Sequence, residues 1–378
     1  MALWLLPEYF SDILPQEARH LERLRRRLLD FVQHHGYQLV IPPLIEHLNS
    51  LLTGAGSDLD LRTFKLVDQL SGRLLGVRAD ITPQATRIDA HLLNDEGVVR
   101  LCYCGSVVHA MPAHQLASRE LLQFGAELYG YSGIDGDLEI QRLALDALAE
   151  AGVTAAQMDV GHVGIFRALV ALSGFDDTRA AELLTALRAK ERPGLINLVA
   201  GLDSSLRRAW LELPELYGGR ETLDAAARVL PDDVRVRAAL SDLATVAAAH
   251  PLGAVSFDLG DLRGYNYHNG LVFSIYTAGA TNAVVLGGRY DEVGEAFGRA
   301  RPATGFSLDL RELAWVVARD DSVLPVVVRV DELDDLGRAE VARLRAAGEV
   351  VIVSLRGETT LGPVRRLIRR GGEWAIDS

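Results

Sequence analysis

Gln123, Gly125 and Glu127 recur at every second position of an otherwise apolar run, Leu121 to Gly130. Side chains of a strand alternate between faces, so these three share one face while Leu122, Phe124, Ala126 and Leu128 share the other. The glycine leaves bare backbone between an amide and a carboxylate, and a ligand can lie against it. A carboxylate suits an ammonium group, and an amide both donates and accepts. A half-solvated strand face is the plain alternative. A second polar cluster, Arg78 to Pro83, lies where a strand gives way to a helix. Asp80 adds a carboxylate there and Thr82 a hydroxyl, although Thr82 before Pro83 also fits simple helix capping.

Two further segments are dense in polar and aromatic groups. Arg263 to Gly270 includes Tyr265, Tyr267 and His268. Such a loop can surround a planar ring while Arg263 meets a carboxylate with two bonds. Gly287-Gly288-Arg289-Tyr290-Asp291 permits close backbone approach. It is not a phosphate loop, since it lacks both the Lys-Ser/Thr pair and the G-x-G-x-x-G spacing.

The elements that must position these groups are legible from periodicity. Leu21, Leu24, Leu28 and Val32 recur at helical spacing, which predicts a helix over 16–35 ended by Gly36. A strand follows at 37–41, stopped by Pro42-Pro43. A hairpin is expected at 64–68 and 73–79 and a helix at 83–93. Strands are expected at 99–109 and 119–131, a helix at 137–151 and a short strand at 157–160. The stretch 165–250 is rich in Ala, Leu and Arg and reads as a helical insertion. Strands return at 254–259, 270–277 and 282–287, and a last core helix at 308–318. The pattern predicts an α+β fold, an antiparallel sheet flanked by helices. After a linker at 319–324, a βαβαβ unit is expected: strands at 325–330 and 349–354, helices at 335–347 and 363–370, and a last strand around Trp374. The expected domains are therefore 1–322 and 323–378.

Composition narrows the function. The chain has 378 residues, 49% hydrophobic and 24% charged, with a net charge of −12. An acidic total argues against a dedicated tRNA or DNA binder, because neutralising phosphates supplies most of such affinity. Cys102 and Cys104 point the same way from one strand, and no second pair completes a metal site. They read as buried thiols of a reducing compartment. No basic leader precedes the apolar start, and no run approaches a membrane span, so a cytoplasmic protein is expected, without metal or cofactor.

Five segments in one order carry a family resemblance. Over residues 5–318 the chain resembles histidyl-tRNA synthetase, a class II synthetase. Asp12-Ile13-Leu14-Pro15, the long helix and a strand ending in Pro43 look like its first class motif. Arg78 to Thr82 matches the loop that holds the amino group of histidine. Gln123 and Glu127 match its Q-x-x-x-E strand. Arg263 to His268 matches its R-G-x-x-Y-Y segment, with His268 in place of the second tyrosine, and Gly287 to Asp291 matches its G-G-R-Y-D segment. The resemblance implies a histidine pocket. Asp80 and Glu127 would hold the ammonium group, Thr82 and Gln123 would add hydrogen bonds, and Arg263 would meet the carboxylate. Tyr267, His268 and Tyr290 would line the imidazole.

The ATP side departs from the family. His109 stands at the arginine position of the second motif and Met111 at its glutamate position. Asp309-Leu310-Arg311-Glu312 replaces the G-L-E-R that ends the third, so Asp309 stands for the glycine and Glu312 for the arginine. Adenylyl transfer needs cations on developing phosphate charge, and losing one donor costs roughly 3 kcal/mol. Only roughly fifty-five residues follow the core, too few for the family's anticodon domain. An amino-acid pocket without an ATP clamp resembles the regulatory subunits of short-form ATP phosphoribosyltransferase. That implies a hetero-oligomer with a separate catalytic subunit, a homodimeric core, L-histidine as effector and no tRNA. An active synthetase and a free-standing amino-acid-binding regulator are the rival expectations.

Overall fold

The computed structural model describes residues 5–54, 57–113, 117–251, 253–265, 267–319, 324–356, 358 and 363–377. The chain divides between Ala318 and Arg319 into two compact units. Most of the expected linker, residues 320–323, lies outside the described residues, as does Asn266 of the aromatic loop.

The first unit is built on a nine-stranded sheet ordered β1-β5-β6-β12-β11-β10-β7-β9-β8. Its strands are β1 (Gln38–Leu39), β5 (Val99–Val108), β6 (Glu120–Tyr129), β7 (Ala156–His162), β8 (Tyr217–Gly218), β9 (Val255–Asp258), β10 (Leu271–Thr277), β11 (Val285–Arg289) and β12 (Ala303–Asp309). The sheet is mixed rather than purely antiparallel: β1 runs parallel to β5, and β7 parallel to β9. A smaller sheet, β2 (Ile45–His47), β3 (Phe64–Val67) and β4 (Leu74–Val77), holds the expected hairpin, with Gly72 at φ +71° in its turn.

One face of the large sheet is covered by helices. α1 (Pro15–His34) buries Leu21, Leu24, Leu28, Leu29 and Val32 and ends at Gly36, φ +86°. After it α2 (Leu48–Leu52) packs on the smaller sheet and α3 (Ser57–Arg62) follows, while α4 (Thr82–Arg87), which continues as a π-turn over Ile88–Leu93, packs on Tyr103 and Val107 at the opposite face of the large sheet. α5 (Ile134–Ala151) lies beside α1 on the sheet. The insertion is helical as expected: α6 (Val163–Leu172), α7 (Asp177–Arg188), α8 (Arg192–Leu198), α9 (Ser204–Glu212), α10 (Glu221–Val229) and α11 (Val234–Ala249). Between α9 and α10 it also lends the sheet its outermost strand, β8. Phe124, Ala126 and Leu128 of β6 join this core together with Phe306 and Leu308 of β12 and Phe273 and Ile275 of β10. Cys102 and Cys104 point to the same side, and burial pushes both thiols up to about 12. Among the described residues no group of His, Cys, Asp and Glu is placed to hold a metal ion, and no helix is long and apolar enough to cross a membrane.

Two sequence expectations fail. No strand was expected at 303–309, yet β12 occupies the middle of the sheet between β6 and β11. Gly305 and Ser307 depress strand propensity, and the pairing on both edges outweighs it. In the second unit, a helix is expected at 363–370. It is a strand, β15 (Arg365–Arg370), pairing with β13 (Val326–Arg329) and, antiparallel, with β16 (Glu373–Asp377). Gly371 and Gly372, φ +59° and +96°, make the two-residue hairpin turn that only such residues take readily. The unit is completed by α13 (Asp335–Ala346) and β14 (Val351–Ser354), with Val326, Val328, Val341, Leu344, Val351 and Leu367 as its core.

Candidate functional site

The other face of the large sheet carries the polar residues. Register places Glu127, Gly305 and Gly288 in one row across β6, β12 and β11, and Gln123 opposite Asp309 in another. Glu127 is 1% exposed, so the strand face is not half-solvated at this position. Its Oε1 accepts from the Tyr103 hydroxyl at 2.8 Å and its Oε2 from the Tyr290 hydroxyl. Burial, with the Asp80 carboxylate nearby, pushes Glu127 up to about 8, against the pull of the two phenols. Tyr103 also bonds Thr82 Oγ1, at 2.9 Å. Four residues back along the strand, Gln123 Nε2 donates to Asp80 Oδ1 at 2.8 Å, and Gln123 Oε1 accepts from the Ile81 N–H. The Thr82 N–H also donates to Asp80 Oδ1, at 3.0 Å. Asp80, Thr82, Gln123 and Glu127 thus form one connected network at the α4 N-terminus and the β6 face.

Aromatic rings close the deeper end. Tyr267 and Tyr290 lie 4.9 Å apart, His268 lies 5.4 Å from Tyr267 and 6.4 Å from Tyr290, and Tyr129 stands edge-on to Tyr290. The Tyr267 hydroxyl is buried and has no hydrogen-bond partner among the described residues. A polar group left so costs energy until a ligand or water satisfies it. Arg263 is the expected site residue that the structure does not join to this network. Its guanidinium donates to Asp261 Oδ2 at 2.6 Å and to the Tyr276 hydroxyl at 2.7 Å. Tyr276 does project from the same sheet face, three strands away from Gln123. Arg78 is a strut: it is buried, donates to the Ser106 and Pro42 carbonyls and covers Gly105.

Of the four positions where the resemblance expects nucleotide contacts, His109 and Asp309 are engaged elsewhere. His109 is buried with Nε2 3.0 Å from the Ala79 carbonyl, and burial beside the Arg62 guanidinium pulls its pKa down to about 4. Met111 is 67% exposed. Asp309 caps α12 (Leu310–Val316) by accepting from the Arg311 N–H, and reaches across to accept from the Leu122 N–H of β6, both at 3.0 Å. Burial pushes its carboxyl up to about 6. Glu312 lies in the first turn of α12, partly buried, and Arg311 pairs with Glu120 at 3.2 Å. The space a glycine would leave at 309 is filled by a carboxylate that staples β6 to α12.

Comparison with known proteins fits this arrangement. Residues 9–313 match the family model described as histidyl-tRNA synthetase, and residues 328–377 that of the ATP phosphoribosyltransferase subunit HisZ C-terminal domain. A relative from Azoarcus sp., an ATP phosphoribosyltransferase regulatory subunit, is 55% identical over 99% of this chain and 98% of its own length. The chain belongs to the ATP phosphoribosyltransferase regulatory subunit family. A regulatory subunit from Cupriavidus necator is 51% identical over 99% of this chain and 98% of its own. Among solved structures, an ATP phosphoribosyltransferase regulatory subunit/histidyl-tRNA synthetase from Bacillus halodurans superposes with a TM-score of 0.83 at 26% identity, covering 95% of each chain. A histidyl-tRNA synthetase from Nostoc sp. shares the fold, TM-score 0.76 at 18% identity, over 95% of this chain and 87% of that one.

For a member of the regulatory subunit family, the pocket holds residues that sequence reasoning did not single out. Tyr103 lies directly opposite Gly125 in the β5–β6 register, and only a glycine leaves room for its ring. Correct register assignment would have revealed it. Thr86 and Tyr129, hydroxyls 3.3 Å apart, extend the same network. Gly305 went unseen with its strand. A Cβ there would run into the Glu127 carboxylate and the Ala126 carbonyl. Gly305→Ala is therefore expected to displace Glu127 and to cost about 1–3 kcal/mol of stability, which denaturant unfolding checks.

Proposed function

We propose that this chain is a non-catalytic subunit that binds a separate ATP phosphoribosyltransferase catalytic subunit and reports L-histidine to it, at the first step of L-histidine biosynthesis. The observation that supports the reading is a buried network of Asp80, Thr82, Gln123 and Glu127 beside positions 109, 309 and 312, where the cations and the glycine of the resemblance are missing. Asp80 and Glu127 supply two carboxylates for a cationic amino acid. His109 and Glu312 stand where the resemblance has the two cations that adenylation would use, and Asp309 stands where it has a glycine. Histidine then regulates by linkage: it shifts the assembly toward whichever conformation binds it better. A coupling of roughly 1–3 kcal/mol gives a 5- to 150-fold effect. In this reading residues 1–322 hold the pocket and a homodimeric core, residues 323–378 form a small appended domain, and the assembly works in the cytoplasm without a cofactor of its own or tRNA.

The test is reconstitution. Mixed with the catalytic subunit, the chain should co-elute with it and raise its activity, and L-histidine should suppress that activity. Independent elution of the two proteins would end the proposal.

One observation keeps an active synthetase in view: Arg62 Nη2 lies 2.8 Å from His109 Nε2, so a guanidinium does reach that corner. Its neighbours argue against catalysis, since Met111 and Asp309 remain unsuited to adenine and phosphate. Histidine-dependent exchange of pyrophosphate into ATP is expected to be absent. It should remain absent after His109→Arg combined with Glu312→Arg.

A further inference from the structure

His268 stands where the resemblance placed a tyrosine, and the structure fixes its imidazole closely. A Cβ on Gly264 would come within 2.4 Å of its Nδ1, and a Cβ on Gly288 within 2.7 Å of its Cδ2 and 3.0 Å of its Nε2. The ring is thus held between two stretches of bare backbone, one of them at φ +72°, where glycine is the default residue. Its Nδ1 lies 3.2 Å from the Gly264 carbonyl oxygen. A carbonyl only accepts, so Nδ1 carries the hydrogen and Nε2 keeps its lone pair. Among the described residues no group donates to Nε2. The ring also stays neutral near pH 7, since burial pulls it down to about 4.

We infer that His268 is a specificity-determining residue, whose Nε2 accepts a hydrogen bond from a ring N–H of the bound amino acid. The inference rests on the reading of this pocket as a histidine site and adds a rule of selection to it. A tyrosine hydroxyl at this position would donate or accept and would tolerate either kind of ring nitrogen. A neutral imidazole fixed through Nδ1 only accepts. An amino acid whose five-membered ring has no N–H buries Nε2 without a partner, and an unpaired buried acceptor is the main source of discrimination against such analogues. Tyr267 and Tyr290, both edge-on to His268, hold a flat ring in place but do not distinguish one aromatic ring from another of equal size.

The experiment is calorimetric titration of the full chain at pH 7.5 with L-histidine and with L-2-thiazolylalanine, which keeps a five-membered ring and one bare nitrogen but has no ring N–H. Wild type should prefer histidine at least tenfold. H268F should bind histidine more weakly and lose at least threefold of that preference, whereas H268Q, which keeps an acceptor, should retain most of it. Equal affinities in the wild type, or an undiminished preference in H268F, would overturn the role of His268 while leaving the pocket assignment standing. Equal wild-type affinities would overturn the role even if the phenylalanine variant does not fold. No histidine binding at all would remove both the pocket reading and the inference built on it.

Discussion

Replacing Asp137 with alanine should cost about 3–5 kcal/mol of folding stability and slacken the pocket as well. Asp137 and Arg289 form the pair beneath the deep end of the site. The guanidinium donates Nη2 to Oδ2 at 2.6 Å and Nε to both carboxylate oxygens at 3.0–3.1 Å, and both side chains are less than a tenth exposed. Its remaining hydrogens go to the Tyr131 and Gly133 carbonyls and to Asp291. Without Asp137 a buried cation is left facing Asp291 and two carbonyls, too little to compensate its desolvation. Tyr290 follows Arg289 directly, and its hydroxyl is what holds Glu127 Oε2. The loss should therefore appear twice, in the urea midpoint and in histidine affinity. The double variant Asp137→Ala with Arg289→Met should recover part of the stability, because no unpaired charge remains. A single variant as stable as wild type would mean the pair contributes nothing net.

How much of this was legible depended on whether the signal was local. The alternation of Gln123, Gly125 and Glu127 against Phe124, Ala126 and Leu128 fixes which face of β6 meets the core, because the strand period is two and the run is long. The helix over 15–34 announced itself in the same way through Leu21, Leu24, Leu28 and Val32. Strand β12 did not. Gly305 and Ser307 lie on the site face, and at 305 only a glycine leaves room for the Glu127 carboxylate, which removes apolar content by which a strand is read. The second unit misled for another reason. Four arginines around Leu367-Ile368 look like a solvated helix, but Arg365 is spent on Glu349, Arg369 on Asp334 and Arg370 on Asp377, and the glycine pair after them turns the chain back as a hairpin. Long-range partners were out of reach altogether. Nothing near Glu127 in sequence names Tyr103, Tyr290 or Asp80 as its neighbours, nor does anything near His109 name Arg62. The same limit explains Arg263, whose neighbour Asp261 and distant partner Tyr276 engage it on the sheet face.

Glu127→Gln should weaken L-histidine binding by about 2–3 kcal/mol, or roughly 30- to 150-fold, while making the ligand-free protein more stable at alkaline pH. Both effects come from one buried carboxyl. Its bonded partners are two phenols, and burial holds its pKa at about 8 against an ordinary 4.5. Between those two values the folded chain keeps a proton that the unfolded chain gives up. Stability is therefore greatest below about pH 4.5 as far as this group is concerned, and declines as pH rises through 8. At about 1.4 kcal/mol per unit, the decline is at most about 5 kcal/mol. Glutamine has no proton to lose, so the variant should lack that part of the slope and overtake wild type in thermal midpoint above pH 8. Binding runs the other way. A cationic ammonium group stabilises the ionised carboxylate, so at pH 7 the wild type must release a proton as histidine enters. The measured binding enthalpy should then vary with the ionisation enthalpy of the buffer in wild type more than in Glu127→Gln. Identical buffer dependence in the two proteins, with unchanged affinity, would place the ligand's charge somewhere other than Glu127.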